Sequence, residues 1–230
     1  MRAIILCYHK VGPQNEEGRR LNVSAERLRS HVSFFLRRGY RSVCARDLAD
    51  AWNPRTVCFS FDDAYWSAME WGLPVLDSAG VRATFYAVPS LVGRSSVWDA
   101  ASPRPLADWD RLLDAQAKGH EIGNHSFDHA HLARLSLSEQ LDQVLRADAA
   151  LRERGIVPGS FCFPYGSHNA DTLSALRSCA YRVGLALGKR AALPSDDRLA
   201  LPRFVIGFSD TLPMLLYKVF LRPKMRRAGG

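Results

Sequence analysis

Seven short apolar segments, separated by helical patterns, constrain the fold of this chain more than any other feature of its sequence. They are rich in Val, Ile, Phe, Tyr and Cys, which favour β-strands, and several are apolar at every position, as parallel strands covered on both faces are. The segments are residues 4–9, 56–61, 83–88, 120–124, 160–163, 182–187 and 203–206. Each of them predicts a buried strand.

Amphipathic helical patterns alternate with these strands. Ser24 is a candidate N-cap for a helix that runs to about residue 38, where Gly39 ends it, and Ser136 opens a second helix that continues to Gly155. Shorter helical patterns lie near residues 67–79, 108–118 and 170–179. Strands that alternate with helices predict an α/β fold with a parallel sheet, and seven such units predict closure into a barrel. In such barrels the chemistry takes place at the C-terminal ends of the strands.

Composition and length narrow the class of protein. The 230 residues match one domain, and the 47% hydrophobic and 23% charged fractions are those of a globular protein rather than of a disordered or collagen-like chain. Five cysteines, an odd number without CxxC spacing, predict neither a disulfide framework nor a thiolate zinc site. The first strand follows Met1 and Arg2 directly, with no export signal before it, so we expect a cytoplasmic protein.

The formal net charge of +8 is concentrated at the two ends of the chain. Residues 217–230 alone contain five Lys or Arg side chains and no Asp or Glu. A nucleic-acid-binding protein more often places its basic residues along one reading element with aromatic or amide partners. The sequence has no such element, so nucleic acid is not an expected partner. The basic ends are either a solvated surface or a surface attracted to anions.

Two adjacent carboxylates, Asp62 and Asp63, directly follow the strand at residues 56–61. Where the chain turns at a strand end, both side chains can point into the mouth of the barrel. One carboxylate can then bind a metal ion while the other acts as a base. The alternative interpretation is a polar turn or a helix N-cap at the strand exit.

A second signal is the HxxxH pair His125 and His129, which follows the strand at residues 120–124. The i, i+4 spacing predicts that both rings lie on one face of a helical turn, where both can reach one metal ion. Asp63 with these two histidines forms an N,N,O set that leaves room for water and substrate. Zinc is the first choice for this set, and cobalt, iron or manganese can use the same ligands. Asp62 would accept the proton of the water.

A tight turn and two loops complete the predicted mouth of the barrel. Pro164 and Gly166 follow the fifth predicted strand, and a backbone N–H in their turn can face a developing oxyanion. The loops at residues 12–20 and 92–105, the second of which contains Trp98, are either substrate contacts or simple connections.

These motifs resemble those of the polysaccharide deacetylase family, also called the NodB-homology family or carbohydrate esterase family 4. The family's TFDDG-like motif corresponds to residues 60–64, and its H-S/T-x-x-H motif corresponds to residues 125–129. The opening at residues 6–11 and the approach at residues 109–124 also look like the family, and the resemblance extends over about residues 4–206. It implies a distorted (β/α)7 barrel and metal-dependent removal of N-acetyl groups from amino sugars.

The resemblance also implies a role for each residue of the motifs. By that likeness Asp62 is the general base, and the metal ligands are Asp63, His125 and His129. The backbone N–H of Tyr165 would help to hold the oxyanion.

The sequence departs from the family pattern at three positions. Cys162 stands where the family has an arginine that orients the base, and Arg203 of the last strand is a candidate to approach Asp62 instead. The late histidine that supplies the family's general acid is absent; His9 is the first candidate to replace it, ahead of His168. An alanine replaces the usual glycine directly after the paired carboxylates.

An apolar segment followed by a basic cluster ends the chain, at residues 208–230. One interpretation is an amphipathic segment that lies at an anionic membrane surface, and the other is a last helix packed on the barrel. The membrane interpretation allows a lipid-linked sugar as substrate at the cytoplasmic face of the membrane.

We therefore predict a catalytic domain at residues 1–207 and an amphipathic, basic tail at residues 208–230. The predicted activity is metal-dependent hydrolysis of the N-acyl group of an amino sugar, with Trp98, Pro164 and Tyr165 as substrate contacts. Two alternatives stay open: an O-deacetylase with the same site, and a catalytically silent sugar-binding module. The intact set of paired carboxylates and histidines argues against the silent module.

Overall fold

The computed structural model describes residues 1–50, 52–99 and 101–222. Its strands are β1 Ala3–Tyr8, β2 Lys10–Val11, β3 Asn22–Val23, β4 Arg41–Ser42, β5 Thr56–Phe61, β6 Thr84–Ala87, β7 Glu121–Asn124, β8 Phe161–Cys162, β9 Gly184–Gly188 and β10 Leu201–Val205. Its α-helices are α1 Gln14–Glu17, α2 Ala25–Arg37, α3 Leu73–Ser78, α4 Trp109–Ala117, α5 Leu137–Arg152, α6 Ala170–Ser178 and α7 Leu212–Leu216. Short 3₁₀ turns lie at Ala45–Ala49, Pro89–Leu91, Leu132–Arg134, Pro164–Gly166 and Arg198–Ala200. A π-helical turn precedes α3 at Ala68–Gly72, and another follows α7 at Tyr217–Leu221.

Seven parallel strands form a closed barrel within the described residues. The strand order is β1-β10-β9-β8-β7-β6-β5, and β1 pairs with β5 along its whole length, which closes the sheet. β4 pairs only with the start of β5, and β2 pairs with β3 apart from the barrel. Each of the seven predicted segments overlaps one barrel strand, so the predicted (β/α)7 architecture is confirmed.

The unbroken apolar runs of the strands reflect burial on both faces. Alternate residues of β1 enter different clusters, because successive side chains of a strand point to opposite sides. Ile4 and Leu6 pack beneath the surrounding helices, whereas Ile5 packs inside the barrel with Cys58 of β5. Burial of each large aliphatic side chain contributes about 1.5–3 kcal/mol to the free energy of unfolding.

Capping residues fix the helices that surround the barrel. Ser24 Oγ accepts a hydrogen bond from the Arg27 N–H (3.1 Å) at the start of α2. Ser136 forms a capping box at the start of α5. Phe35 on the buried face of α2 packs edge-on against Phe59 of β5, with 6.1 Å between ring centroids. The helices are thereby held against the strands whose ends carry the polar side chains.

The last helix packs on the outside of the barrel. α7 begins after Thr211, next to the predicted start, and Leu215 and Val219 are buried. Phe220 lies near Phe34 of α2, with 6.1 Å between ring centroids. As far as residue 222, the chain therefore adopts the packed-helix arrangement.

The predicted basic cluster is only partly described. Lys218 and Arg222 belong to the last helical segment, whereas Lys224, Arg226 and Arg227 lie outside the described residues. No described helix has both the length and the apolar character needed to cross a bilayer.

Candidate active site

Polar side chains converge at the C-terminal ends of the barrel strands. His9 follows β1, Asp62 and Asp63 follow β5, and His125 follows β7. Together with Tyr165 after β8, they line a cavity of about 270 Å³, which we call the strand-end pocket. Barrels of this kind carry their chemistry at this position.

Asp63, His125 and His129 bring three donor atoms together. Asp63 Oδ1 lies 3.2 Å from His125 Nε2 and 3.0 Å from His129 Nε2. All three side chains are buried, and Asp63 Oδ1 accepts no hydrogen bond of ordinary geometry from any described residue. A buried carboxylate oxygen that lacks a proper donor, beside two imidazole nitrogens, fits a divalent cation.

The imidazole of His125 is oriented by the barrel. Its Nδ1 lies 2.8 Å from the carbonyl oxygen of Cys162, so we assign the proton to Nδ1, which donates to that oxygen. His125 Nε2 then keeps its lone pair on the side of Asp63. The ring is therefore held in the tautomer that a metal ligand needs.

The loop from His125 to His129 is irregular, and the prediction of a helical turn there is wrong. Ser126 and His129 have positive φ values of 63° and 66°, which lie outside the right-handed helical region. Asn124 Oδ1 accepts a hydrogen bond from the Ser126 N–H, and Gln143 Oε1 of α5 accepts from the next two backbone N–H groups. These hydrogen bonds, rather than helical spacing, bring the two rings together.

Burial and charge act in opposite directions on the carboxylate of Asp63. Burial raises its pKa, but the adjacent imidazoles of His125 and His129 outweigh burial and hold the pKa well below its usual range. Burial also lowers the pKa of His129, against the attraction of Asp63. Both shifts favour an ionised carboxylate beside a neutral imidazole, which are the protonation states of metal ligands.

Arg203 of β10 forms a bidentate ion pair with Asp62 inside the barrel. Its Nη1 and Nη2 atoms lie 2.6 and 2.8 Å from the two carboxylate oxygens. The guanidinium is fully buried, and it also donates to Ser60 Oγ (3.0 Å) and to the Ala186 carbonyl oxygen (3.2 Å). The structure thus brings the candidate arginine and the candidate base into direct contact.

This ion pair keeps Asp62 ionised. Burial alone would raise the pKa of Asp62, but the charge and hydrogen bonds of Arg203 hold it well below its usual range. Burial likewise lowers the pKa of Arg203, and the carboxylate more than reverses that effect. Asp62 is therefore a fixed negative charge at neutral pH.

Two thiols complete the surroundings of the ion pair. Cys162 Sγ lies 3.0 Å from Arg203 Nη2, and Cys7 Sγ of β1 lies 3.3 Å from Asp62 Oδ2. Because Cys162 is small, it leaves space in the barrel for a guanidinium that enters from β10 rather than from β8. Burial raises the pKa of both thiols well above the ordinary range, so both stay protonated.

Aromatic side chains form one wall of the strand-end pocket. The Trp98 indole stacks on His129 with 3.7 Å between ring centroids, and Tyr165 lies on another side of that imidazole at 4.5 Å. Tyr165 has a positive φ of 58°, stacks on His131 and is 45% exposed. The imidazole of His129 is therefore enclosed between two larger rings.

The second predicted loop is tied to the pocket by hydrogen bonds. Trp98 Nε1 donates to Tyr65 Oη (2.9 Å), and Tyr65 Oη donates to Asp99 (2.7 Å). Arg20 of the first predicted loop reaches within 3.7 Å of Asp99. Tyr65, Asp99 and Arg20 also line the pocket, and sequence reasoning missed them. The available signals were their positions beside the paired carboxylates and within the two loops.

The remaining candidate residues occupy different places. His9 lines the pocket, and its Nδ1 is buried with no hydrogen-bond partner among the described residues. Burial lowers the pKa of His9. His168 stacks on Phe163 at 4.6 Å and does not line the pocket. Pro164 is buried and does not line it either.

The chain matches a family model and known proteins. A model described as polysaccharide deacetylase matches residues 50–184. A chitin deacetylase of Pestalotiopsis sp is 35% identical over 133 residues, which are 56% of this chain and 41% of that protein. This chain therefore spans less than half the length of that relative.

Solved structures share the fold. A deacetylase of Streptococcus pyogenes, in complex with acetate, matches with a TM-score of 0.80 at 19% identity, over 95% of this chain and 98% of that chain. A de-N-acetylase of Aggregatibacter actinomycetemcomitans matches with a TM-score of 0.79 at 19% identity, over 95% of this chain and 100% of that chain. At such low identity these matches establish the fold alone. The family model covers more than half of the chain. The matched range includes the motifs at residues 60–64 and 125–129, whose side chains meet at the strand ends of the barrel. The chain therefore belongs to the polysaccharide deacetylase family.

Proposed function

We propose that this protein hydrolyses the N-acyl group of an amino sugar, with acetyl as the first choice of acyl group. The observation that carries the proposal is the close approach of Asp63, His125 and His129 beside the Asp62–Arg203 ion pair in one pocket. Family membership and the 35% identity to a chitin deacetylase support an acetylated amino sugar as the substrate class.

Asp63, His125 and His129 would hold a divalent cation, for which zinc is the first choice and cobalt, iron or manganese are alternatives. When bound, such a cation polarises the acyl carbonyl and lowers the pKa of water towards about 7. The Cys162 carbonyl oxygen holds the His125 ring in its tautomer, and the Trp98 indole covers one face of His129. These contacts keep the ligand rings in place and limit the access of bulk water.

Asp62 would act as the general base. Its ionised carboxylate accepts the proton of the attacking water, and Arg203 holds both carboxylate oxygens in position. Because the ion pair makes Asp62 a weak base, Asp62 works through its permanent ionisation and fixed position rather than through high basicity.

The backbone N–H of Tyr165 would donate to the oxyanion of the tetrahedral intermediate. His9 would pass a proton to the departing amine. Burial lowers its pKa, so its neutral ring can accept the proton that Asp62 takes from the water and donate it to the amine; it lies in the same pocket, and its Nδ1 has no partner among the described residues. Trp98 and the exposed ring of Tyr165 would hold the sugar. Pro164, being buried, would act only by setting the turn before Tyr165.

We propose a membrane-associated location for this activity. Residues 1–207 would form the catalytic domain, and residues 208–230 would lie against the anionic, cytoplasmic face of a membrane that carries a lipid-linked substrate. The exposed apolar side chains of Met214, Tyr217 and Leu221 support this proposal, because they occur in a segment rich in Lys and Arg.

The proposed chemistry is tested by measuring amine release and metal content for the wild-type protein, Asp62→Asn and His125→Ala. We expect Asp62→Asn to retain metal and to lose turnover by about 10²–10⁴-fold, because the ligand set stays intact while the base is removed. We expect His125→Ala to lose both metal and turnover. Normal turnover in Asp62→Asn would contradict the role of the base, and a wild-type protein that binds no divalent metal would contradict the ligand set.

Matched N-acetyl and O-acetyl substrates separate the proposal from its alternatives. Release of amine from the N-acetyl sugar supports the N-deacetylase, and release of acetate from the O-acetyl sugar alone supports the O-deacetylase. A protein that binds metal and sugar but hydrolyses neither substrate would be the catalytically silent module.

A further inference from the structure

A second pocket lies beside the strand-end pocket on the rim of the barrel. It has a volume of about 150 Å³, we call it the rim pocket, and it is lined by Gly188, Lys189, Phe204, Val205, Lys218 and Arg222. Val205 also lines the strand-end pocket, so the two pockets share a wall.

The alternation of residues along β10 explains why the two pockets are neighbours. Arg203 points into the barrel, where it pairs with Asp62, so Phe204 points outwards to the cluster beneath the helices. Val205, the last residue of the strand, lies between the two pockets. In the parallel pairing of β10 with β9, Phe204 lies opposite Gly188, where a Cβ atom would come within 2.5 Å of Pro202.

Three cationic side chains surround the rim pocket, and no carboxylate lines it among the described residues. Lys218 Nζ donates to Asp210 (2.7 Å) and to the Val205 carbonyl oxygen (3.3 Å), so its position is fixed while its third N–H remains available. Lys189 and Arg222 form no ion pair with any carboxylate in residues 1–50, 52–99 and 101–222.

Other cations of the surface do have carboxylate partners. Arg190, the neighbour of Lys189, forms two 2.7 Å hydrogen bonds with Asp196. Arg177 on α6 likewise pairs with Asp197 at 2.8 Å. Lys189 and Arg222 thus line the pocket without a carboxylate partner among the described residues, whereas the charge of Arg190 is neutralised.

We propose that the rim pocket binds a phosphoryl group of the saccharide whose acylated sugar occupies the strand-end pocket; this inference rests on the proposed function. A phosphoryl group carries up to two negative charges and several acceptor oxygens, which match the two unpaired cations and the remaining N–H of Lys218. The apolar floor formed by Phe204 and Val205 lowers the local dielectric constant and strengthens these charge interactions. The substrate class is thus a phosphorylated amino sugar, either free or linked to a lipid through its phosphate.

The test compares three forms of one N-acetylated amino sugar: the neutral sugar, its 1-phosphate, and its polyprenyl-diphosphate form in detergent. The variant Lys189→Gln/Arg222→Gln removes both unpaired cations. The matched control Arg29→Gln/Arg37→Gln removes two exposed arginines of α2. We expect the ratio of kcat/KM for phosphorylated over neutral sugar to fall roughly tenfold or more in the first variant and to change less than about twofold in the control.

An equal ratio in the wild-type protein and the first variant would overturn the proposal. Hydrolysis of the neutral sugar reports on the proposed function separately, because that sugar has no group for the rim pocket. If no sugar is hydrolysed, calorimetry measures the binding of inorganic pyrophosphate to the wild-type protein and to Lys189→Gln/Arg222→Gln. Weaker binding to the variant supports a phosphoryl site in the rim pocket, and equal binding contradicts it. Preference for the 1-phosphate or for the polyprenyl form identifies a soluble or a lipid-linked source of the phosphoryl group.

Discussion

At the scale of single residues, the buried negative charge of Asp62 is stabilised by one guanidinium. This guanidinium belongs to a different strand than the family motif implies. Arg203 enters from β10, and the small Cys162 of β8 leaves the space that it fills. Removal of one partner of a buried ion pair leaves an uncompensated charge, which costs more than the pair contributes. Arg203 and Asp62 therefore stabilise the barrel only as a pair.

This dependence predicts how stability changes when the arginine is removed or moved. Arg203→Met should lower the free energy of unfolding by about 3–5 kcal/mol, because Asp62 is left buried and unpaired. Arg203→Met/Asp62→Leu should recover most of the loss, and Arg203→Met/Cys162→Arg should recover part of it by supplying a guanidinium from β8. Urea unfolding measures each value. A single variant as stable as the wild-type protein would contradict the ion pair as a stabilising unit.

At the scale of elements, α2 contributes a buried histidine that makes the stability of the fold depend on pH. His31 is fully buried, with Nδ1 3.0 Å from Tyr8 Oη, and burial lowers its pKa from 6.5 to about 4. The unfolded chain therefore binds a proton below pH 6.5 that the folded chain does not bind until about pH 4. Stability must fall as the pH falls through this window, by about 3 kcal/mol when the window is complete.

Urea unfolding between pH 7 and pH 4 measures this effect. His31→Gln should flatten the decline, because glutamine does not titrate. Tyr8→Phe should retain most of it, because burial rather than the hydroxyl group is the main cause of the lowered pKa. An undiminished decline in His31→Gln would assign the pH dependence to other groups.

The second loop over the pocket is a separate element with its own prediction. Tyr65 holds Trp98 through one hydrogen bond and Asp99 through another. Tyr65→Phe removes both hydrogen bonds but keeps the ring, so the loop should loosen while the ligand residues stay in place. We expect KM for an acetylated sugar to rise about threefold to tenfold with little change in kcat, because about 0.5–1.5 kcal/mol is typical of a lost hydrogen bond. Steady-state kinetics measures this; a fall in kcat alone would contradict a role in sugar binding.

Whether the sequence predicts an element depends on whether neighbouring residues or distant residues stabilise its structure. The barrel strands were predictable because a strand that is buried on both faces needs apolar residues at successive positions, which form a recognisable run in the sequence. The His125–His129 turn was not, because its positive φ values are stabilised by Asn124 and by Gln143 on a helix later in the chain. Arg203 could be proposed because it is an arginine in an apolar strand. Its bidentate geometry depends on the space beside Cys162 of another strand, and the sequence around Arg203 does not indicate that space.

At the scale of the whole molecule, cationic side chains near the start of the chain contact aromatic rings near the end of its described part. Arg2 lies 6.0 Å from the ring centroid of Phe220, and Arg19 lies 4.5 Å from that of Phe208. Arg2 therefore lies close to the last helical segment, to which Lys218 and Arg222 belong. Met214, Tyr217 and Leu221 expose apolar side chains in the same part of the chain, which therefore combines the apolar and basic residues that the proposed contact with anionic lipid requires.

Vesicle flotation tests this surface with the full chain. The wild-type protein should float with vesicles rich in phosphatidylglycerol and should dissociate as salt is raised, because each basic residue near the surface contributes about 1 kcal/mol that ions screen. The variant Met214→Ser/Tyr217→Ser/Leu221→Ser should bind these vesicles at least roughly tenfold more weakly, because its side chains no longer enter the interface.

The matched control Leu137→Ser/Leu145→Ser changes exposed leucines on α5, 47% and 49% exposed, and should bind as the wild-type protein does. Apolar contact alone would make binding independent of lipid charge, whereas basic side chains around an apolar strip require anionic lipid. Equal flotation with neutral phosphatidylcholine and anionic vesicles would therefore contradict this surface as the site of attachment. Equal loss in both variants would show that general exposure of apolar side chains, and not the position of the last helix, governs binding.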